Sequence, residues 1–154
     1  MEWVIKEKKA FTVVGIEMRM TNQNGESMEK IPVFWQQFYS EHIVEKIPFV
    51  IDPDTVYAVY SDYDEQGYYS MLIGVEASAG QVLPPGLSSV TVPASKYAMM
   101  TAKGPISSAI ARSWQHVWSH HFPHTRAFRA DFERYDQRSK AMENAEVDLY
   151  VSIF

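Results

Sequence analysis

Apolar positions along this chain recur with two different periods, and the switches between them mark out the elements. Ile106, Ala109, Ile110, Trp114, Val117 and Trp118 follow the i, i+3, i+4, i+7 rule of one helix face. The pattern predicts a helix over about 105–120, opened by the Gly104-Pro105 turn and closed before Pro123. Ile31, Phe34, Trp35, Phe38 and Tyr39 make a second such stripe, predicting a helix over about 28–42 with Pro32 in its first turn. Alternating and β-branched runs predict strands over 3–7, 11–20, 55–61, 68–76, 88–93, 96–103, 128–135 and 147–154. Gly15 is expected to bulge or bend the second of these. Asp52-Pro53-Asp54 reads as a turn, residues 63–67 as a polar hairpin loop, and 77–86, with its Pro-Pro-Gly, as a linker.

The two helical stripes superpose when one is shifted by 79 positions, from Trp35 to Trp114. Ile31 then falls on Ile110, Gln36 on Gln115, Phe38 on Val117, Tyr39 on Trp118 and His42 on His121. A long strand precedes each helix and two more follow it, so a β-α-β-β unit occurs twice, over about 1–79 and 86–154. Two such units predict a single α+β domain over 1–154 with pseudo-twofold symmetry, helices on one face of an antiparallel sheet and a central ligand cleft.

Composition narrows the function classes. Fourteen basic and nineteen acidic side chains give −5 without a basic stripe, which argues against a nucleic-acid surface. The absence of cysteine removes disulfides and thiolate nucleophiles. No signal-peptide core and no membrane-length apolar run occurs, and a cytoplasmic chain is expected. Nine Tyr, eight Phe and four Trp are rich in the side chains that line ligand cavities.

Glu133 is the sharpest chemical candidate. In Asp131-Phe132-Glu133-Arg134-Tyr135 a strand puts Glu133 and Tyr135 on one face. If that face lines a pocket, a carboxylate stands among aromatic rings; the alternative is a surface glutamate paired with Arg129 or Arg134. His116, His120 and His124 have helical spacing, but no carboxylate follows to complete a metal motif, and no metal is expected. No phosphate loop, nucleophile elbow or dinucleotide fingerprint is present, so no cofactor is expected either.

The chain resembles the GyrI-like, AraC-type effector-binding domain family of bacterial transcription regulators. The resemblance rests on Tyr69-Ser-Met-Leu-Ile-Gly-Val-Glu76, Pro-Pro-Gly-Leu87, Val92-Pro-Ala-Ser-Lys-Tyr97, Lys103-Gly-Pro105, Ala109-Ile-Ala-Arg-Ser-Trp114, Phe122-Pro123 and Phe132-Glu-Arg-Tyr135. The end, Tyr-Val-Ser-Ile-Phe, departs from the family's usual Ile-Pro-Val type. The resemblance implies a freestanding member that senses or sequesters hydrophobic, often cationic, aromatic molecules in the manner of a multidrug-binding module. It implies a ligand contact from Glu133 and favours Trp114 over Trp35 as the helix ring presented to the ligand. The strand tyrosines Tyr69, Tyr97 and Tyr135 are expected to line the same cavity, and no direct contact to nucleic acid or membrane is expected. Two other readings come with the family. One is a hydrolase adding water to strained electrophilic toxins, with Glu133 as its catalytic group. The other is a protein acting through a partner, a regulator or DNA gyrase.

Overall fold

A computed structural model describes residues 2–154. In chain order the elements are β1 (Val4–Lys8), β2 (Phe11–Thr21), α1 (Glu26–Ser40), α2 (Ile43–Lys46), β3 (Val50–Ser61), β4 (Tyr68–Ala77), β5 (Ser88–Val92), β6 (Ser95–Gly104), α3 (Ile106–Trp118), β7 (Asp131–Tyr135) and β8 (Ala145–Ile153). All eight strands form one antiparallel sheet in the order β1-β6-β8-β7-β3-β4-β2-β5.

Exchanging each strand with its counterpart in the other half gives the same order read from the opposite edge, so the pseudo-twofold axis passes between β3 and β7. Ala58 faces Glu133 across this junction. Each half also carries a leading strand, and the leading strands cross over: β1 pairs with β6 and β5 with β2. The crossing ties the halves into one sheet.

Period-two alternation then sorts the core. Val14, Ile16, Met20, Ala58, Met71 and Ile73 point to one face, where they meet Phe34 and Phe38 of α1 and Ile43 of α2. Ala109 and Val117 of α3 pack on this same face against Met100, Ala102, Leu149 and Val151. The opposite, curled face closes over an aromatic cluster of Tyr57, Tyr97, Phe132 and Tyr150, with Phe11 beside it. Lys8 lies over the Phe11, Phe132 and Tyr150 rings at 5.5, 5.7 and 5.0 Å.

Four local expectations are corrected. Helix α1 begins at Glu26, not near residue 28, because the Glu26 carboxylate accepts the Thr21 N–H (3.0 Å) and pairs with Lys30 (3.0 Å). Pro32 therefore lies in the second turn, where it forfeits the hydrogen bond to the Met28 carbonyl. Asp52-Pro53-Asp54 does not end a strand. It is a bulged stretch inside β3, with register shifts on both sides and the Asp54 N–H donating to Asp52 Oδ1 (2.9 Å).

Gly15 is not a bulge, since the β2–β4 register runs unbroken from Val13 to Thr21. It stands opposite Gly74, and a Cβ on either would come within 1.9 or 2.0 Å of a carbonyl oxygen on the neighbouring strand. Only paired glycines allow the backbones to approach this closely.

Candidate functional site

A cleft of about 1700 Å³ lies over the β3–β7 junction, lined by residues of α1 and α3. Its walls follow the pseudo-twofold axis. On one side Trp35 packs edge-on to Tyr135 (4.9 Å between centroids) and stacks with Tyr39 (6.1 Å). On the other side Trp114 packs edge-on to Tyr60 (5.3 Å) and stacks with Trp118 (6.3 Å). The outer rings, Tyr39 and Trp118, are 59% and 56% exposed, so large apolar surface faces an open cleft rather than a sealed core.

Glu133 sits at the floor, 1% exposed. Its Oε2 accepts the Tyr60 hydroxyl (2.8 Å) and the Trp114 indole N–H (2.7 Å), and its Oε1 accepts the Tyr135 hydroxyl (2.5 Å). All three donors are neutral. Among the described residues no lysine, arginine or histidine forms an ion pair with it. Burial pushes the Glu133 carboxyl above its ordinary range, against the opposing pull of the bonds from Tyr135, Trp114 and Tyr60. Burial, reinforced by the charge of Glu133, holds the Tyr60 and Tyr135 phenols well above theirs, so both remain donors.

A second buried carboxylate, Asp131, lies one alternation back along β7 and is 0% exposed. Its Oδ1 accepts the backbone N–H and hydroxyl of Ser152 (2.8 and 3.2 Å). Its Oδ2 accepts the Tyr63 hydroxyl (2.5 Å) and Arg126 Nη2 (2.6 Å). Among the described residues Asp131 thus has a cation paired with it, and Glu133 has none.

The expected site residues separate into two groups. Glu133, Tyr135 and Trp114 are bonded together at the floor, and Arg129 and Arg134 point elsewhere, to Ser95 and to Asp136. Tyr69 lines the cleft, 5.8 Å from the Tyr60 ring, and donates to Asn22 Oδ1 (2.7 Å). Tyr97 is not in the cleft. Ala98, Met100 and Ala102 of β6 face the helices, so Tyr97 is on the opposite side, packed on Phe132 and Tyr150 and donating to the Pro93 carbonyl (3.1 Å). Sequence reasoning missed Tyr60 and Arg126, and it set Trp114 ahead of Trp35 where both line the cleft. Tyr60 lies two residues beyond Ala58 as Tyr135 lies two beyond Glu133, but the 79-residue shift that aligns the helices sets Tyr135 on Val56, so the repeat gave no pointer to it.

The profile of the integron-associated effector binding protein family, Cass2, matches residues 4–153. The chain belongs to this effector-binding family. Among its relatives, YobU of Bacillus subtilis (strain 168), a proposed transcriptional regulator, is 29% identical over 143 residues, covering 90% of this chain and 89% of YobU. The transcriptional regulator BrlR of Pseudomonas aeruginosa is 33% identical over 157 residues, covering 97% of this chain but 54% of BrlR. The chain therefore spans about half the length of BrlR. Among solved structures, SAV2435 bound to tetraphenylphosphonium superposes with a TM-score of 0.81 at 20% identity, covering 100% of this chain and 94% of that one. At that identity the likeness is one of fold. No helix among the described residues is long and apolar enough to cross a membrane.

Proposed function

We propose that this effector-binding chain takes a hydrophobic aromatic cation into the cleft between α1 and α3, for sensing or sequestration, with Glu133 as the counter-charge. The observation that carries this reading is the buried Glu133 carboxylate with three neutral donors and, among the described residues, no cation paired with it. Burying an unpaired carboxylate is costly, and a ligand cation supplies the missing partner. The Trp35 and Trp114 walls add cation–π attraction of about 0.5–2 kcal/mol per ring. The binding of tetraphenylphosphonium, a lipophilic aromatic cation, by SAV2435 accords with this ligand class.

The test compares N-methyl-4-phenylpyridinium with its neutral isostere 4-methylbiphenyl, using tryptophan fluorescence. The cation should bind more tightly by about 1–2 kcal/mol, and Glu133→Gln should erase the difference. Equal affinities in the wild type would sink the reading.

One observation favours a hydrolytic reading as the alternative. Oε1 of Glu133 accepts one hydrogen bond where Oε2 accepts two, and burial raises the carboxyl above its ordinary range. A water placed on Oε1 gives its proton to the carboxylate as its oxygen bonds to a strained ring carbon; the ring's carbon–heteroatom bond breaks with its electron pair going to the heteroatom, which then takes up that proton. Multiple-turnover consumption of a strained electrophile, abolished in Glu133→Gln, would establish that reading.

A further inference from the structure

Arg126 is an unusual residue in a cleft built for cations. Its guanidinium carbon lies 4.2 Å from the Phe128 ring centroid, 5.8 Å from Tyr63 and 6.0 Å from Trp114. Nη2 bonds to the fully buried Asp131, while Nε is buried with no hydrogen-bond partner. The guanidinium is therefore held by position, among three rings and against one carboxylate oxygen, and not by a bidentate fork. An aromatic cage closed by a buried carboxylate is the environment that recognises a ligand cation.

We propose that Arg126 is a built-in occupant of a second, latent cation subsite at Asp131, and that it thereby restricts the cleft to ligands carrying a single positive charge. This rests on the proposed cation-binding function of Glu133.

The two carboxylates share their burial and their number of neutral hydrogen bonds. Glu133 has three neutral donors, Tyr60, Tyr135 and Trp114. Asp131 also receives three neutral hydrogen bonds, from the Tyr63 hydroxyl and from the N–H and hydroxyl of Ser152. Of the two, Asp131 alone has a cation beside it among the described residues, Arg126, and it is Arg126 and not Asp131 that lines the cleft. Side chains two residues apart on one face of a strand are separated by roughly 7 Å. Trp114 is the wall common to both, since it donates to Glu133 and lies beside Arg126. A flat aromatic dication with charges at that spacing would pair one end with Glu133 and meet the guanidinium with the other. Arg126, Tyr63 and Phe128 all line the cleft, so a ligand at Glu133 reaches them without crossing the sheet.

The experiment measures the affinities of methyl viologen, a flat dication of this spacing, and N-methyl-4-phenylpyridinium, its near-isosteric monocation. The wild type should bind the monocation at least as tightly as the dication. Arg126→Gln should shift the ratio of affinities toward methyl viologen by about ten-fold or more, because one end of the dication then pairs with Asp131. Adding Asp131→Asn to that variant should restore the wild-type ratio. An unchanged ratio in Arg126→Gln, or a gain that persists in the double variant, would overturn the proposal. Arg126→Met keeps the stem against Phe128 and should behave like Arg126→Gln. If either single variant folds poorly, methyl viologen should raise its melting temperature more than the monocation does; equal rescue would also overturn the proposal. Failure of the underlying function reading looks different: wild type and Glu133→Gln would then bind the monocation equally.

Discussion

Tyr60 and Tyr135 donate their hydroxyls to different oxygens of one carboxylate, reaching Glu133 at 2.8 and 2.5 Å from the two strands that meet at the pseudo-twofold axis. Each is backed by the tryptophan of one helix, Trp114 behind Tyr60 and Trp35 behind Tyr135. A duplicated scaffold thus supplies two symmetric clamps for a single asymmetric charge. Only one half contributes the acid; its counterpart across the junction is Ala58.

The first prediction concerns one clamp. Hydrogen bonds to a charged group are worth about 1.5–3 kcal/mol. Tyr135→Phe removes one such bond from the ionised carboxylate and leaves the ring against Trp35. Cation affinity near neutral pH should fall by about ten-fold, and the pH at which affinity is half-maximal should move up. Calorimetric titrations across pH would detect both; an unchanged midpoint would mean that Tyr135 does not stabilise the anion.

The second prediction is a pH dependence with a definite sign. Burial raises the Glu133 carboxyl above its ordinary range, so the folded protein retains a proton that the unfolded chain has lost. Its contribution to stability is therefore lost as pH rises from the ordinary glutamate range through the folded value. Cation binding requires the ionised form and must run the other way, strengthening over the same window with a slope approaching one proton per ligand. Glu133→Gln should flatten both trends. Buffers of different ionisation enthalpy would reveal the released proton in the wild type.

The third prediction tests the glycine pair. A Cβ at Gly15 or Gly74 would strike backbone carbonyls and not flexible side chains, so strands β2 and β4 must part. Gly15→Ala should destabilise the protein by about 1–3 kcal/mol or more, the cost of overpacking without a soft neighbour. Chemical denaturation gives this value directly. A neutral result would show that the sheet can open at this point freely.

Much of this was legible in the sequence because it is periodic. The helical stripes, the order of strands and the repeat all follow from apolar spacing, and Glu133 and Tyr135 share a face by alternation alone. The errors came where a non-local partner decided. Tyr97 looked like Tyr69, but the parity of β6 against β8 turned it to the far face. The start of α1 depended on the Glu26 carboxylate bonding back to Thr21. The leading strands β1 and β5 gave no sign that they pair across halves, since crossover is a property of topology and not of local pattern. Arg126 could not be placed because its partner Asp131 is separated from it by an irregular segment.

The last prediction uses the symmetry as its own control. Trp35 and Trp114 are counterparts, each packed edge-on against a tyrosine and stacked with one outer ring, but only Trp114 donates an indole N–H to Glu133. Replacing either with phenylalanine removes similar aromatic area, so losses for a neutral aromatic ligand should be alike. For a cation the two variants should differ. Trp114→Phe also deprives the carboxylate of a donor, which favours the protonated acid and should weaken cation binding by a further 1.5–3 kcal/mol or about ten-fold and upward near neutral pH. Trp35→Phe should leave the pH profile in place. Measuring both variants with N-methyl-4-phenylpyridinium and 4-methylbiphenyl separates wall from charge: equal cation losses would mean that the cleft selects by shape alone.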